Sequence, residues 1–452
     1  MELNKNQIVD LEITGMTSEG YGVGKYNQFA LFIPHSAVGD QLKVKIVKLQ
    51  STYGYGIIEE IVHPSSDRIM QTCAAAAQCG GCCYRHISYE AECRIKQQTV
   101  QDNLKKIGGI EMQVEPILPS PRWERYRNKA QYPVSGTASD PLVGFYAKRS
   151  HRIINAENCF LQPEIFTFIL QDIKGFIKKH KIVPYNEEKH TGLLRHIYLR
   201  IGEATGEIMV CLVVNGNELP ETDQLISLLS GKYPQIKSIV LNINQAKSNI
   251  ILGPKCITLF GADSITDILC GLTFQISPLS FYQVNRQGAE NLYNLVKEHA
   301  APQKDEVLLD LYCGTGTIGL TMAKDVRKLI GVEIIADAVK NARQNTQLNH
   351  IENAEFFCSD AKGATIHFLQ SCLYADTIII DPPRKGCDSE VLQALVKMSP
   401  KKIVMVSCNS ATMARDCRYL TDNGFEIKKV NPVDMFPRTE HVETVVLMSR
   451  VE

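Results

Sequence analysis

Three residues in the last quarter of the chain carry side chains suited to covalent chemistry on an electron-poor ring. Cys408 follows an apolar run at residues 402–406, Asp381 begins the run DPPRKG, and Glu443 lies in the run HVET. A thiolate can add to an electrophilic carbon, and a carboxylate can remove a proton in a later step. The set predicts Cys408 as nucleophile and Glu443 as general base.

The ring of uracil is a target that fits this set. A thiolate that adds to carbon 6 makes carbon 5 nucleophilic, and after methylation a base removes the carbon 5 proton while the thiol leaves. Methyltransferases that act on exocyclic amines usually show an aromatic residue after Asp-Pro-Pro, whereas Arg384 follows here. The run therefore favours carbon methylation, with Asp381 bonding the base or the methyl donor. On its own, Cys408 would be read as an inert buried cysteine.

A glycine-containing loop supplies the second substrate site. Residues 310–319 follow an apolar run and open a predicted helix, and Glu333 lies about 20 residues further on, where an acid bonds a ribose hydroxyl. Gly314, Gly316 and Gly319 also match the dinucleotide fingerprint, and a simple tight turn is a third interpretation. With Asp310 at its start, the loop resembles the S-adenosylmethionine loop of class I methyltransferases, which favours S-adenosylmethionine as the ligand.

A second chemical motif is a cysteine cluster, Cys73-x5-Cys79-x2-Cys82, in a loop-like stretch. With a distant fourth cysteine it suits an iron–sulfur cluster or zinc. The adjacent Cys83 is an alternative ligand, although its side chain is expected to point elsewhere. The spacing differs from the Cys-x3-Cys-x2-Cys of radical enzymes. A reducing compartment disfavours disulfides. Most of the scattered cysteines are expected to be small buried apolar side chains; they are Cys211, Cys256, Cys270, Cys358 and Cys372.

Basic and aromatic residues alternate at positions 122–129, around the only tryptophan of the chain. Cations hold phosphates and aromatic rings stack on bases, so the stretch predicts RNA contacts, although a solvated loop is the plain alternative. The candidate RNA-binding residues are Arg122, Arg125, Arg127 and Lys129. The whole chain has 49 basic and 49 acidic residues, so RNA binding must rest on local patches.

Composition and patterning place these motifs in several domains of a globular protein. The 452 residues are 44% hydrophobic and 22% charged, and they contain no apolar run of about 18 residues, so no membrane span and a cytoplasmic location are expected. Residues 1–62 show short strands typical of a small β-barrel. Residues 63–278 form a predicted α+β domain, in which a helix at 89–108 is a candidate for packing on the catalytic domain.

Residues 279–452 alternate strands with helices. The predicted strands, at 307–311, 328–332, 354–357, 377–380 and 402–406, are mostly continuous apolar runs, as in strands buried on both faces. This pattern predicts an α/β fold with a doubly wound, Rossmann-like parallel sheet that binds ligands at the carboxyl ends of its strands.

The combined motifs resemble the bacterial RNA uracil-5-methyltransferase family, in particular its 23S ribosomal RNA members. The residues that carry the resemblance are 280–285, 310–319, 381–386, 407–409 and 441–444. The resemblance implies that Cys408 is the nucleophile and Glu443 the base. It also implies that S-adenosylmethionine is bound by four residues, Gln283, Tyr312, Glu333 and Asp381. Ser410 departs from the family, in which many members have proline.

The same resemblance extends to the N-terminal half. The first 62 residues resemble the TRAM module, an OB-like barrel that binds RNA. Cys159 is implied as the fourth ligand beside Cys73, Cys79 and Cys82, and a [4Fe–4S] cluster as the group they hold. The expected activity is methylation of a uridine in RNA, most of all 23S rRNA, by a monomeric enzyme. A tRNA methyltransferase and a ribosome-assembly factor are the alternatives, and a cytosine-5 methyltransferase ranks last because no cysteine accompanies Asp381.

Overall fold

A computed structural model describes residues 3–155, 158–371 and 374–451, which contain three large sheets and one separate hairpin. The first sheet has six strands: β1 (Ile8–Glu12), β2 (Gly15–Met16), β3 (Gly22–Tyr26), β4 (Phe29–Ile33), β5 (Gln41–Leu49) and β6 (Tyr53–His63). Their order is β1-β5-β6-β4-β3-β2. Alternate residues such as Leu31 and Val44 fill the interior, so the N-terminal β-domain has its own small core.

The middle of the chain forms a seven-stranded sheet of order β13-β12-β11-β10-β7-β8-β9. Its elements are β7 (Lys129–Gly136), β8 (Pro141–Tyr146), β9 (Ile153–Asn155), α2 (Glu164–Lys179), β10 (Leu194–Ile201), β11 (Ile208–Val214), α3 (Thr222–Lys232), β12 (Ile236–Ile243) and β13 (Lys255–Gly261). Helices α2 and α3 share one apolar core with this sheet. The hairpin β14 (Ile265–Leu269) and β15 (Leu272–Ile276) instead joins the core of the last sheet.

The last sheet has the order β18-β17-β16-β19-β20-β22-β21, with apolar cores on both faces. Its strands are β16 (Val307–Leu311), β17 (Lys328–Glu333), β18 (Ala354–Cys358), β19 (Thr377–Ile380), β20 (Lys402–Ser407), β21 (Phe425–Val433) and β22 (Glu443–Arg450). Its helices are α4 (Arg286–Ala300), α5 (Thr317–Met322), α6 (Ala336–Leu348), α7 (Ala361–Gln370), α8 (Ser389–Met398) and α9 (Ser410–Thr421), with a 3-10 turn at Ala323–Asp325. The doubly wound α/β prediction is confirmed.

Helix α1 (Tyr89–Lys106) precedes the middle sheet in sequence but packs elsewhere. The Ser88 hydroxyl caps it by accepting the Ala91 N–H at 3.2 Å. Val100 and Leu104 are fully buried in the same core as α9 and β21, which belong to the last sheet. The helix predicted at 89–108 therefore contacts the C-terminal part of the molecule.

One strand departs from the predicted parallel arrangement. β22 runs antiparallel to both β20 and β21. It follows β21 directly through a loop, without the crossover helix that would return the chain and make the next strand parallel. Its first residue, Glu443, therefore lies at the edge where the parallel strands end.

The prediction for the scattered cysteines was right only in part. Cys211 is buried, but Cys256 and Cys358 are exposed because they lie in the edge strands β13 and β18, and Cys270 is partly exposed. Cys372 lies outside the described residues. Within the described residues, no helix is long and apolar enough to cross a membrane.

Candidate active site

A cavity of about 1640 Å³ opens at the carboxyl edge of the last sheet. All six residues predicted for catalysis and methyl-donor binding line it: Gln283, Tyr312, Glu333, Asp381, Cys408 and Glu443. Strands β16, β17, β19 and β20 end at this edge, which is where open α/β sheets bind ligands. The cavity has room for a nucleoside-sized cofactor together with a second ring.

The glycine loop after β16 forms one wall. Gly316 has φ +80°, and a Cβ there would lie 2.9 Å from the ring of Phe356, so the loop conformation requires glycine. Tyr312 takes a left-handed φ of +64°, which is uncommon for an aromatic residue and typical of constrained sites. The Glu333 carboxylate accepts N–H bonds from Gly314 at 3.1 Å and from Ile335 at 2.8 Å. These bonds fix a carboxylate beside the loop.

Strand pairing brings Cys408 and Glu443 together. Ser407 at the end of β20 pairs with Thr444 near the start of β22. Because the two strands are antiparallel, Cys408, the residue after Ser407, lies opposite Glu443, the residue before Thr444. Glu443 is buried, and its carboxyl has a pKa raised to about 8. Burial is the main cause, and the negative charge of Asp381 adds to it. Burial also raises the pKa of Asp381 to about 7. The site therefore holds two carboxyl groups that titrate near neutrality.

The Cys408 thiol experiences opposing influences. Burial raises its pKa, the charges of Glu443 and Asp381 add to this, and the guanidinium of Arg384 acts in the opposite direction. Arg384 also lies 3.2 Å from the His441 ring nitrogen Nε2. Neither Arg384 nor His441 was predicted as a site residue, although both flank Asp381 and Glu443 within the runs already noted.

The segment before α4 forms the opposite wall. Asn128 of the middle domain donates its side-chain N–H to the Gln283 carbonyl at 2.9 Å, and Asn285 caps α4 by accepting the Gly288 N–H at 3.0 Å. Phe281 lines the cavity with 65% of its surface exposed. An exposed ring at the mouth of a cavity is suited to stacking on a flat ligand.

The four predicted ligand cysteines line one cavity of about 270 Å³: Cys73, Cys79, Cys82 and Cys159. The Gly81 N–H donates to the Cys79 sulfur at 3.4 Å. Burial is the main cause that raises the pKa of the Cys82 thiol to about 12, and the charge of the neighbouring Cys159 adds to it. A thiolate at Cys82 therefore requires a bound cation. The donor set fits a thiolate-bound metal group. However, no three Cys, His, Asp or Glu side chains in the described parts of the chain lie close enough together to hold a metal ion.

Cys83 points away from this cavity. Its sulfur lies 3.5 Å from the Glu440 carboxylate, and it is absent from the cavity lining. The cavity lining therefore includes the four predicted cysteines and not Cys83.

The four candidate RNA-binding residues have different surroundings. Arg122 is exposed and pairs with Glu203, while Arg125 donates to the carbonyls of Cys159 and Gln162 at 2.8 and 2.9 Å. Arg127 lines both cavities, and Lys129 lines the cysteine cavity, where burial lowers its pKa to about 8. Their role in RNA binding stays a prediction.

An aromatic surface on the β-barrel was not predicted. The rings of Phe32, Tyr53 and Tyr55 pack with centroids 5.3 to 5.7 Å apart. Next to them, Lys148 of the middle domain lies 4.5 Å from the centre of the Tyr21 ring. The sequence signal was the spacing of the two tyrosines by two residues in β6, which places both on one face. We call Phe32, Tyr53 and Tyr55, which are partly exposed, the barrel aromatic surface; the neighbouring Tyr21 is buried.

Comparison with known proteins gives consistent results for both ends of the chain. Residues 269–451 match the model of the tRNA (uracil-5-)-methyltransferase family, and residues 2–58 match that of the TRAM domain. An "uncharacterized RNA methyltransferase" of Clostridium tetani is 40% identical over 99% of this chain and 97% of its own. A protein of the same description from Halalkalibacterium halodurans is 42% identical, with coverages of 99% and 98%.

A solved structure also shares the fold. The tRNA (uracil-54, C5)-methyltransferase of Pyrococcus abyssi, in complex with S-adenosyl-L-homocysteine, superposes with a TM-score of 0.78 at 28% identity. The match covers 97% of this chain and 100% of that one. Together with the relatives, this similarity supports S-adenosylmethionine as methyl donor and RNA as substrate. The chain therefore belongs to the RNA uracil-5-methyltransferase family.

Proposed function

We propose that the enzyme methylates carbon 5 of a uridine in RNA through a covalent bond between Cys408 and carbon 6. The observation that carries this proposal is the position of Cys408 and Glu443 on neighbouring strand ends, inside one cavity that also contains Asp381. A nucleophile and a base on the same ring are what carbon 5 chemistry requires.

The residues act in sequence. The Cys408 thiolate adds to carbon 6, and the electron pair of the carbon 5–carbon 6 double bond makes carbon 5 nucleophilic. S-adenosylmethionine supplies the electrophilic methyl group that carbon 5 takes. Glu443 then removes the carbon 5 proton, the double bond re-forms, and Cys408 leaves as a thiolate. The products are 5-methyluridine, S-adenosylhomocysteine and one proton.

Four side chains are proposed to hold the methyl donor. Glu333 and Tyr312 flank the glycine loop, Asp381 follows the neighbouring strand β19, and Gln283 lies in the segment before α4; all four line the cavity. Glu333 is placed by two backbone N–H bonds to accept from a ribose hydroxyl, and Asp381 offers negative charge to a sulfonium.

Tritium release tests the reaction directly. RNA labelled at carbon 5 of uridine should lose tritium to water when the enzyme and S-adenosylmethionine are added. Cys408→Ala should lower this release by about 10⁴-fold or more while leaving S-adenosylmethionine binding within about twofold. Cys256→Ala, at an exposed cysteine of the edge strand β13, is the matched control. Full turnover by Cys408→Ala would reject the covalent mechanism.

The RNA substrate is proposed to be 23S rRNA, on the resemblance noted from the sequence. tRNA is the second candidate, favoured by the name of the matched family and by the tRNA specificity that the name of the Pyrococcus enzyme states. Mapping 5-methyluridine in both RNAs from a deletion strain separates the two. Unchanged 5-methyluridine in every RNA, together with no tritium release, would instead favour an RNA-binding assembly factor.

The cysteine cavity is proposed to hold a [4Fe–4S] cluster through Cys73, Cys79, Cys82 and Cys159. Anaerobically purified protein should be brown with about four irons per chain. Cys82→Ser should lose iron, whereas Cys83→Ser should retain it because the Cys83 side chain points away from the cavity. A colourless protein with bound zinc would reject the iron–sulfur assignment.

RNA is proposed to contact two regions, the residues Arg122, Arg125, Arg127 and Lys129 and the barrel aromatic surface. Arg127 is the best placed of the basic residues because it reaches the active-site cavity.

We further propose domain boundaries near residues 62 and 278, and a cytoplasmic location. We also propose that the enzyme is a monomer, and size-exclusion chromatography with light scattering tests this oligomeric state.

A further inference from the structure

The loop that leads to the catalytic base is held from outside its own sheet. Residues 434–442 connect β21 to β22 and end next to Glu443. Asp434, the first of them, accepts bonds from the Lys96 ammonium and the Tyr89 hydroxyl, both at 2.7 Å. Lys96 also donates to the Phe436 carbonyl at 3.1 Å. Both donors belong to α1, which is more than 300 residues away in sequence.

The contact is a buried charge network of four residues. Lys96 and Arg438 supply the cations, Glu92 and Asp434 supply the carboxylates, and all four are buried. Lys96 bonds Glu92 at 2.7 Å within α1, and Glu92 in turn accepts the backbone N–H of Arg438 at 2.7 Å. Buried ion pairs seldom add net stability, since each charge loses its hydration. A neutral and closely bonded network can still specify one geometry.

A strained residue lies at the centre of this contact. Arg438 has a left-handed φ of +71°, an unfavourable conformation for a residue with a side chain. Its N–H bonds Glu92, its carbonyl accepts from the Cys83 N–H at 2.8 Å, and its guanidinium donates to the Ile87 carbonyl at 3.1 Å. Strained residues persist when their surroundings over-determine them, and they cluster at functional sites.

We propose that Glu92 and Lys96 are positioning residues for Glu443: they fix the turn at Arg438 and thereby the path of the chain into β22. The inference rests on the proposed function. It means that the base in the methyltransferase sheet is aligned by a helix from the preceding part of the chain.

The reaction sequence gives this proposal a specific signature. Glu443 is needed only after methyl transfer, to remove the carbon 5 proton, whereas addition of Cys408 and methyl transfer do not use it. Loosening the loop should therefore slow the breakdown of the methylated adduct more than its formation. The covalent RNA–protein species should then accumulate during turnover.

Variants on a single helix provide the test. In Lys96→Met and in Glu92→Gln, kcat per S-adenosylmethionine-binding site should fall by about 10- to 100-fold, as for a misplaced catalytic group. KM for S-adenosylmethionine should stay unchanged, and a denaturant-stable RNA–protein band should appear. Lys96→Arg should recover part of the loss. The control is Lys106→Met, which removes an exposed i,i+4 pair with Asp102 from the same helix and should behave as wild type.

Glu92→Gln decides the outcome if Lys96→Met does not fold, because glutamine keeps the shape of the side chain but removes the charge that faces the Lys96 ammonium and the Arg438 guanidinium. Unchanged kcat per binding site in Glu92→Gln would overturn the proposal. So would a fall in kcat without any adduct, since that indicates a general structural loss. Wild-type enzyme and Glu443→Gln run in parallel: if wild type yields no 5-methyluridine, the proposed function fails rather than the positioning role.

Discussion

At the scale of single residues, the proposed nucleophile has a cation nearby. The guanidinium of Arg384 lowers the pKa of Cys408, whereas burial and the charges of Glu443 and Asp381 raise it. The Arg384 carbonyl also accepts the Asn409 side-chain N–H at 3.0 Å, which ties the segment after Asp381 to the residue after the thiol. The arginine is thus held within reach of the thiol that must ionise.

We expect Arg384→Met to raise the pKa of the Cys408 thiol further, because an adjacent opposite charge is lost. The rate of Cys408 alkylation by iodoacetamide against pH, followed on the Cys408 peptide by mass spectrometry, measures this. Lys385→Met, at the exposed neighbour that pairs with Asp388, is the control and should leave the profile unchanged. Identical profiles for Arg384→Met and wild type would refute the role of the guanidinium.

Glu443→Gln should trap the methylated covalent adduct, because glutamine cannot take the carbon 5 proton. The adduct should appear as an RNA–protein band on a denaturing gel and carry label from the methyl group of S-adenosylmethionine. The double variant Cys408→Ala/Glu443→Gln is the control and should give no band. An unlabelled band, or none in the single variant, would show that Glu443 acts earlier or not at all.

Residue types and short runs pointed to Cys408, Glu443, Asp381 and Glu333, whereas Gln283 and Tyr312 were implied only by the family resemblance. All six line one cavity, and their roles stay predictions. The Lys96 network could not be found in this way. A lysine in a helix and an aspartate in a distant loop share no spacing that a sequence pattern can reveal, and only the packing of α1 on β21 brings them together.

At the scale of elements, the reversal of β22 builds the site. A sixth parallel crossover would have placed the start of β22 at the opposite edge of the sheet, far from Cys408. The strand pattern predicted the boundaries of β16 and β19 correctly because both are short, continuous apolar runs. It could not predict strand direction, which depends on the connection and on edge pairing. The reversed strand is why one edge collects both Cys408 and Glu443.

The same edge concentrates carboxyl groups whose pKa values are raised. Burial raises the pKa of Asp381 to about 7 and that of Glu443 to about 8. A cationic sulfonium bound nearby favours the ionised forms, so binding S-adenosylmethionine should release protons. Its affinity should rise with pH between about 6 and 8 and level off above both pKa values.

S-adenosylhomocysteine provides the comparison, since it lacks the methyl group and the charge on sulfur. Calorimetric titrations of both ligands across this pH range, in buffers of different ionisation enthalpy, give the affinities and the protons released. The affinity for S-adenosylmethionine should rise more steeply with pH than the affinity for S-adenosylhomocysteine. Asp381→Asn should reduce this difference between the two slopes. Equal slopes for both ligands would contradict an electrostatic role of these carboxylates.

At the scale of the whole molecule, the N-terminal parts reach the active site by contact rather than by sequence proximity. The barrel loop at Gly20 lies against Cys83, where an added Cβ would meet the cysteine side chain at 3.2 Å. Cys83 in turn bonds the turn at Arg438, close to His441 in the active-site lining. Barrel, cysteine loop and catalytic loop therefore form one continuous path of contacts, and RNA is proposed to lie over it while the target base enters the cavity.

The barrel aromatic surface is the outer end of that path. Its rings offer stacking faces, and Lys148 and Arg149 lie beside Tyr21 and add positive charge, although the chain as a whole is neutral. Stacking on an aromatic side chain contributes about 1–3 kcal/mol per base. Tyr53→Ala should therefore weaken RNA binding by about fivefold or more, and S-adenosylmethionine affinity should not change.

Fluorescence anisotropy with a labelled single-stranded RNA, at two salt concentrations, measures this effect. Because stacking carries no charge, the loss from Tyr53→Ala should be the same at both salts, whereas the loss from Lys148→Met should shrink as salt rises. Tyr374→Ala, at a tyrosine that is 76% exposed outside the barrel, controls for loss of any surface ring. Wild-type affinity in Tyr53→Ala would remove the barrel surface from the RNA path and leave binding to the basic residues around Arg127.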